Sequence, residues 1–212
     1  MSEPARVFEL PDAGPARLRP AEVASSQRLR MLRAMAETAA EKGYAKTVVA
    51  DVITRAGVSR RTFYEHFRDK QDCFLAAYDA TIDALEGAVS EELAAAASLA
   101  PAEQLDRLLR TYLELLASEP RLAKTYLVEV YAAGPEAMAR RRAVLERFSA
   151  LLGGLRPVDP FTLEALVSAV SMLVTTRVAS GRADTLPELR EPLLRFLLDN
   201  LLVRNVTDTP GT

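Results

Sequence analysis

Few side chains in this 212-residue sequence can do chemistry. It holds one histidine, His66, and one cysteine, Cys73. A metal centre of imidazoles or thiolates needs three or four such ligands, and a disulfide needs two thiols. Neither is expected. A hydrolytic triad would have to use His66, and no pair of carboxylates stands in an apolar setting that would tune it. Catalytic residues, a metal and a cofactor are therefore not expected, and Cys73 reads as a plain buried thiol. What stands out instead is a short run of cations. Arg60 and Arg61 follow Ser59 and precede Phe63, Tyr64, His66 and Phe67. Phe63 and Phe67 are four apart, so on a helix they share one face. With Val58 they form its buried side, and Arg60, Arg61, Thr62, Tyr64 and His66 point away. Arginines in a first turn oppose the helix dipole, at about 0.3–1 kcal/mol each when exposed. An anion docked there offsets this, because free amides and guanidinium groups converge on it. A DNA phosphate, or a guanine edge read by an arginine, has the right charge and shape. The alternative is a solvated polar helix whose arginines serve solubility.

The flanking residues supply elements that could hold this segment in place. Thr47 can cap a short helix over 48–56, with Val49, Val52 and Ile53 inward. Gly57 ends it, and Ser59 can cap the helix over 60–67. Two short helices joined by a turn of about three residues with a glycine are the helix-turn-helix pattern. Upstream, Pro20 suits the first position of a helix, and nothing breaks the period before Lys42. Met31, Leu32, Met35 and Ala39 form its apolar stripe, and Gly43 stops it. Tyr44 is expected to pack beneath the helix pair. Residues 1–19 contain Pro4, Pro11, Gly14 and Pro15 and read as a flexible arm. Its Arg17 and Arg19 are read as solvated, with a reach into a minor groove as the alternative.

Composition supports a helical body. The chain is 49% apolar and 26% charged, enough for a core and incompatible with wholesale disorder. Nine glycines and 6% aromatics argue against a β-sandwich, while Ala, Leu, Glu and Arg favour helices. Residues 1–70 carry 13 Lys and Arg against 9 Asp and Glu, and residues 71–212 carry 14 against 20. A net +4 followed by −6 suggests that the first third meets a polyanion. The first 20 residues hold no apolar run that reads as a leader, and no uninterrupted apolar stretch approaches about 18 residues. A membrane partner is not expected, and the default compartment is cytoplasmic.

Beyond Lys70 a longer helix is expected to about residue 93, with Phe74, Leu75, Tyr78, Ile82 and Leu85 on one side. Pro101, Pro120 and Gly134-Pro135 mark further helix starts. Leu105, Leu108, Leu109, Tyr112, Leu115 and Leu116 repeat at helical spacing. Arg140, Arg141 and Arg142 read as a solvated basic face, with a grip on a phosphorylated ligand such as an acyl-CoA as the alternative. Gly153-Gly154 has no phosphate-loop context and reads as a turn. Residues 161–180 are apolar nearly all round, so both sides need cover. Residues 186–202 hold eight leucines, with Pro192 opening the main helix. Excess apolar surface on two terminal helices suggests a partner chain.

Residues 47–74, TVVADVITRAGVSRRTFYEHFRDKQDCF, resemble the DNA-binding region of tetracycline-repressor (TetR) type transcriptional regulators. The most telling pieces are ITRAGVS at 53–59, TFYEHF at 62–67 and DKQDCF at 69–74, with AETAAEKGYA at 36–45 resembling the end of that family's first helix. The likeness spans about residues 25–80, roughly a quarter of the chain. It implies an all-α fold of about nine helices: the arm 1–19, a three-helix helix-turn-helix DNA-binding domain over 20–70, and an all-helical ligand-binding and dimerisation domain over 71–205. It implies that the third helix enters the major groove, so that Ser59, Arg60, Arg61, Thr62, Tyr64 and His66 face DNA. Arg61 is the expected base contact, with Tyr64 and His66 on phosphate or a thymine methyl. Thr47 and Lys70 would bind phosphate, which positions the protein and says little about sequence.

The resemblance further implies a homodimer through residues 161–202, reading a near-palindromic double-stranded operator with heads about one DNA turn apart. It implies a pocket for a small, mainly apolar effector, for which Tyr78, Tyr112, Leu116, Tyr126, Val130 and Met172 are candidates. Effector binding would shift the spacing of the heads and release DNA, a coupling of about 1–3 kcal/mol. The expected function is a ligand-responsive transcriptional regulator, a repressor. The alternative is an activator, or an effector-independent DNA-binding protein, with the same head.

Overall fold

The computed structural model describes residues 20–155 and 158–202. The arm 1–19 with Arg17 and Arg19, and positions 203–205 of the expected second domain, lie outside the described residues. Among the described residues there are nine α-helices and two 3-10 helices, and no strand. In order they are α1 (Pro20–Lys42), α2 (Val49–Ala56), α3 (Arg60–His66), α4 (Lys70–Ala95), α5 (Pro101–Ser118) and α6 (Pro120–Leu127). A 3-10 helix (Glu129–Ala132), α7 (Pro135–Leu155), α8 (Pro160–Ala179), a second 3-10 helix (Ala183–Leu189) and α9 (Arg190–Leu202) complete the chain. The all-α expectation holds. Pro101, Pro120 and Pro135 each open a helix as expected, where a missing N–H costs nothing.

Two local expectations fail. Gly153 and Gly154 lie inside the last turn of α7 and make no turn of their own. A Cβ on Gly153 would stand 3.1 Å from Leu163 Cδ1, so its small size serves close packing. The last helix starts at Arg190 rather than Pro192, and Leu186 and Leu189 belong to the 3-10 helix before it.

Packing divides the chain into two compact units. Of the described residues, one unit comprises those up to Leu85 together with Glu119–Ala139, and the other comprises Glu86–Ser118 together with those from Arg140 to Leu202. The first unit thus adds the start of α4 and all of α6 to the three helices of residues 20–70. In the first unit α1 packs against both α2 and α6. Met31, Leu32 and Met35 are fully buried, together with Phe63, Phe74, Leu127 and Val130. Helix α6 grips the end of α1 through two α1 carbonyls, of which that of Ala40 lies in the last turn and has no helical partner. Thr125 Oγ1 donates to the Ala36 carbonyl at 2.7 Å, and Lys124 Nζ donates to that of Ala40 at 2.5 Å.

In the second unit α5 packs against α9 and the 3-10 helix Ala183–Leu189, and α8 packs against both of those. Leu113, Val174, Leu186 and Leu197 lie in its core. Asp159 caps α8, its Oδ1 accepting from Thr162 N at 2.9 Å. Leu163, Leu166, Val167, Val174 and Val178 form the buried side of α8, yet Phe161, Met172 and Leu173 remain exposed. Helix α8 is long and apolar enough to cross a membrane by length and composition, with mean hydropathy 1.4. Broken by Ser and Thr, it holds no uninterrupted apolar run of that length.

Candidate nucleic-acid interface

The chain reverses between α2 and α3 at Gly57, whose backbone is left-handed (φ 63°, ψ 42°). Its N–H bonds back to the carbonyls of Ile53 and Thr54, and that of Val58 to Ile53 at 3.1 Å. Only glycine takes this conformation without strain. Ser59 caps α3, its Oγ accepting from Thr62 N at 3.0 Å. Helix α3 ends at His66, one residue earlier than expected, because Phe67 is extended (φ −139°).

The anchoring face of α3 is the expected one for Phe63 and Phe67, while Val58 is only half-buried. Phe63 is 0% exposed and Phe67 3%, with ring centroids 5.6 Å apart. The Arg28 guanidinium lies 5.4 Å from the Phe67 ring centroid. On the opposite side Arg60, Arg61, Tyr64 and Glu65 are exposed, and Thr62 and His66 are half-buried. The Arg60 guanidinium sits 6.0 Å from the Tyr64 ring centroid. Arg61 Nε donates to Glu65 Oε1 at 2.9 Å. Each arginine thus meets the side chain one turn further along.

The two outlying phosphate candidates are placed differently. Thr47 is fully buried, and its hydroxyl donates to the Gly43 carbonyl at 2.9 Å. That side chain is not presented to a phosphate, and the expectation for it is corrected. The N-cap of α2 is Val48, which is 53% exposed. Asp51 accepts from the Val48 N–H at 2.9 Å and pairs with Lys42 at 2.7 Å. Lys70 is half-buried, its Nζ donating to the Tyr44 carbonyl at 3.0 Å and standing 4.2 Å from the Tyr44 ring centroid. Lys70 therefore holds the turn after α1, whatever else it touches. Tyr44 packs edge-on against Phe74 at 4.6 Å, as expected of a residue beneath the helix pair. Burial raises its phenol pKa, and the Asp69 charge adds to this.

Sequence reasoning did not nominate Val48, Glu65, Arg28 or Arg68. Glu65 was legible, being four residues after Arg61. Asp51 was legible as the third residue of a helix begun at Val49. The position of Arg28 over Phe67 depends on tertiary packing and had no local signal. Arg68 is exposed and pairs with Asp72 at 3.4 Å.

The six effector candidates are split between the units. Tyr78, Tyr126 and Val130 are buried in the first, with the two tyrosine ring centroids 5.6 Å apart. Leu116 is buried and Tyr112 half-buried in the second, where Tyr112 meets Phe148 edge-on at 6.1 Å. Met172 is 57% exposed on α8, so it belongs to an outer face rather than to an enclosed lining. The basic run also departs from expectation. Arg142 is exposed, but Arg141 is only 4% exposed and donates to Ser171 Oγ on α8 at 2.8 Å.

Residues 31–77 match the family model of bacterial regulatory proteins, tetR family. The N-terminal domain is a tetR-family domain. The match runs from Met31 in α1 to Ala77 in α4 and includes the Gly57 turn and all of α3. No curated protein matches the chain significantly. Solved structures share the fold of this chain over most of its length. The fatty acid degradation regulator FadR of Bacillus halodurans is 19% identical with TM-score 0.72, covering 86% of this chain and 97% of its own. The transcriptional regulator FadR of Bacillus subtilis, solved in complex with stearoyl-CoA, is 19% identical with TM-score 0.69, covering 81% and 98%. A TetR family transcription regulator of Marinobacter aquaeolei VT8 is 21% identical with TM-score 0.66, covering 85% and 98%.

Proposed function

We propose that this tetR-family transcriptional regulator is a homodimeric repressor that reads a near-palindromic DNA operator through α3 and is released by a small, mainly apolar effector. One observation carries the reading: α3 sinks Phe63 and Phe67 into the first unit and holds Arg60, Arg61 and Tyr64 outward. Cations and an aromatic presented on one rigid helix suit a major groove. Ser59, Thr62 and His66 line the same helix, and Lys70 adds positive charge beside it. Such a protein acts in the cytoplasm and needs no catalytic residue or cofactor.

Dimerisation is supported by the second unit. Phe161 is 78% exposed, Met172 57%, Leu173 49% and Phe196 37%. Large apolar side chains left in water on adjacent helices mark a surface that a partner covers. A two-fold axis through this surface gives two reading heads and a palindromic site.

The effector class to test first is a long-chain acyl-CoA. Its apolar tail suits the buried residues Tyr78, Tyr126 and Val130 of the first unit, and a structure of the same fold was solved with stearoyl-CoA. Footprinting the full-length protein on DNA flanking its own gene tests the proposal. The expected result is protection of two half-sites about one DNA turn apart, lost on adding stearoyl-CoA. Protection that persists with stearoyl-CoA and with other apolar ligands favours the effector-independent alternative. Absence of protection on flanking DNA, together with no enrichment from random duplexes, rejects DNA recognition.

A further inference from the structure

We propose that Glu65 is a positioning residue that aims the Arg61 guanidinium at one base and holds it off phosphates, so that this pair sets the specificity of α3. This rests on DNA binding by α3. The Arg61 side chain is 89% exposed and that of Glu65 55% exposed. An ion pair so open to water contributes little to stability, so folding gives no reason for it. A carboxylate facing a polyanion also weakens binding to every sequence alike. Glu65 is the one acidic residue in α3, amid two arginines and a histidine.

The geometry supplies a use for it. The 2.9 Å bond runs from Nε of Arg61 to Oε1 of Glu65. It engages the inner edge of the guanidinium and leaves the two Nη groups at the outer end. That pair of donors is the fork that matches O6 and N7 of guanine. A guanidinium already braced loses less freedom on binding. Its charge is also offset, which lowers its attraction for any phosphate more than for a base edge that requires two directed donors. Specificity is a difference of affinities, and a repulsive element raises it. Arg60 makes the contrast. It leans on the neutral Tyr64 ring, 6.0 Å away, and keeps its full charge. Arg60 is therefore suited to phosphate and Arg61 to a base.

The test uses the full-length protein and a pool of duplexes with a randomised central segment of about 20 base pairs, the span of two half-sites one turn apart. The wild type, Arg61→Ala, Glu65→Ala, Glu65→Gln and the Arg61→Ala/Glu65→Ala pair are each selected and sequenced. Thermal unfolding confirms that each variant folds. The wild type enriches a symmetric motif, and Arg61→Ala flattens one position in each half-site. Glu65→Ala lowers the preference at that same position about tenfold and raises affinity for a fixed random-sequence duplex. Glu65→Gln keeps an acceptor oxygen, so it retains most of the preference while sharing the raised background affinity. In the Arg61→Ala background, Glu65→Ala changes that position no further.

A wild-type motif left unchanged by Glu65→Ala overturns the proposal. So does a loss at a different position, which would make Glu65 a reader of bases itself. A wild type that enriches no motif rejects DNA reading by α3, and the proposal falls with it.

Discussion

The backbone N–H of Tyr44 donates a 2.8 Å hydrogen bond to the buried carboxylate of Glu129, 85 residues further along the chain. The carbonyl of the same residue accepts from Lys70 Nζ. The turn leading from α1 into the helix-turn-helix is thus gripped from both sides, by the 3-10 helix Glu129–Ala132 and by the start of α4. Gly43 precedes it with φ 84°, and a Cβ there would stand 3.6 Å from Glu129 Oε2.

Replacing Glu129 with alanine leaves the Tyr44 N–H buried without its partner. An orphaned buried donor of this kind costs about 1–3 kcal/mol. Urea denaturation should show a loss in that range, and Glu129→Gln, which keeps an acceptor, should show a smaller one. Equal stability of Glu129→Ala and wild type would contradict the role given to this contact.

Phe63→Ala removes a fully buried ring from beneath α3. Truncations of this type cost about 3–5 kcal/mol. DNA affinity should fall with the fold, although no DNA-facing atom is changed. Arg61→Ala should do the reverse, leaving the unfolding midpoint in place and weakening operator binding by about 1–3 kcal/mol. Paired measurements of stability and operator affinity separate the two behaviours.

Gly57→Ala tests the turn itself. The nearest atom to the added Cβ is Arg30 Nη1 at 3.7 Å, an ordinary contact. Space is therefore available, and the penalty is the left-handed backbone, about 1–2 kcal/mol. A thermal midpoint equal to that of the wild type would show that the turn relaxes to another conformation.

Cys73 is fully buried, and burial pushes its thiol pKa well above the ordinary range. The thiolate is the reactive form. The native protein should not react with a disulfide reagent at pH 8, and one thiol should appear once denaturant is added. Rapid stoichiometric labelling of the folded protein would refute this.

Two carboxylates give an acid dependence. A hydrogen bond from Lys42, then one from the Val48 N–H, holds Asp51 below the usual carboxylate range. A hydrogen bond from Arg55, then its charge, does the same for Glu41. A folded-state pKa below the unfolded one means that the stabilisation is full above about pH 4, the ordinary carboxylate value. It is lost as pH falls through the folded values. Asp51→Asn should therefore flatten the decline in stability below pH 4, followed by thermal unfolding across pH 2–7. An unchanged slope would remove Asp51 from the acid response.

The helices, their proline starts, the Ser59 cap and the Phe63/Phe67 face were readable from sequence, because each depends on residues within one or two turns of each other. A period, a cap or a glycine acts on its own neighbourhood, and tertiary packing here reinforces those preferences. The departures share a different cause. Thr47 buries its hydroxyl where α1 turns into α2, Arg141 reaches Ser171 on another helix, Met172 lies outward on α8, and Gly153 admits Leu163. Lys70 reaches back 26 residues to Tyr44, and Glu129 reaches 85. Which polar atom meets which across such separations is set by how whole helices pack, and a linear pattern carries no record of that.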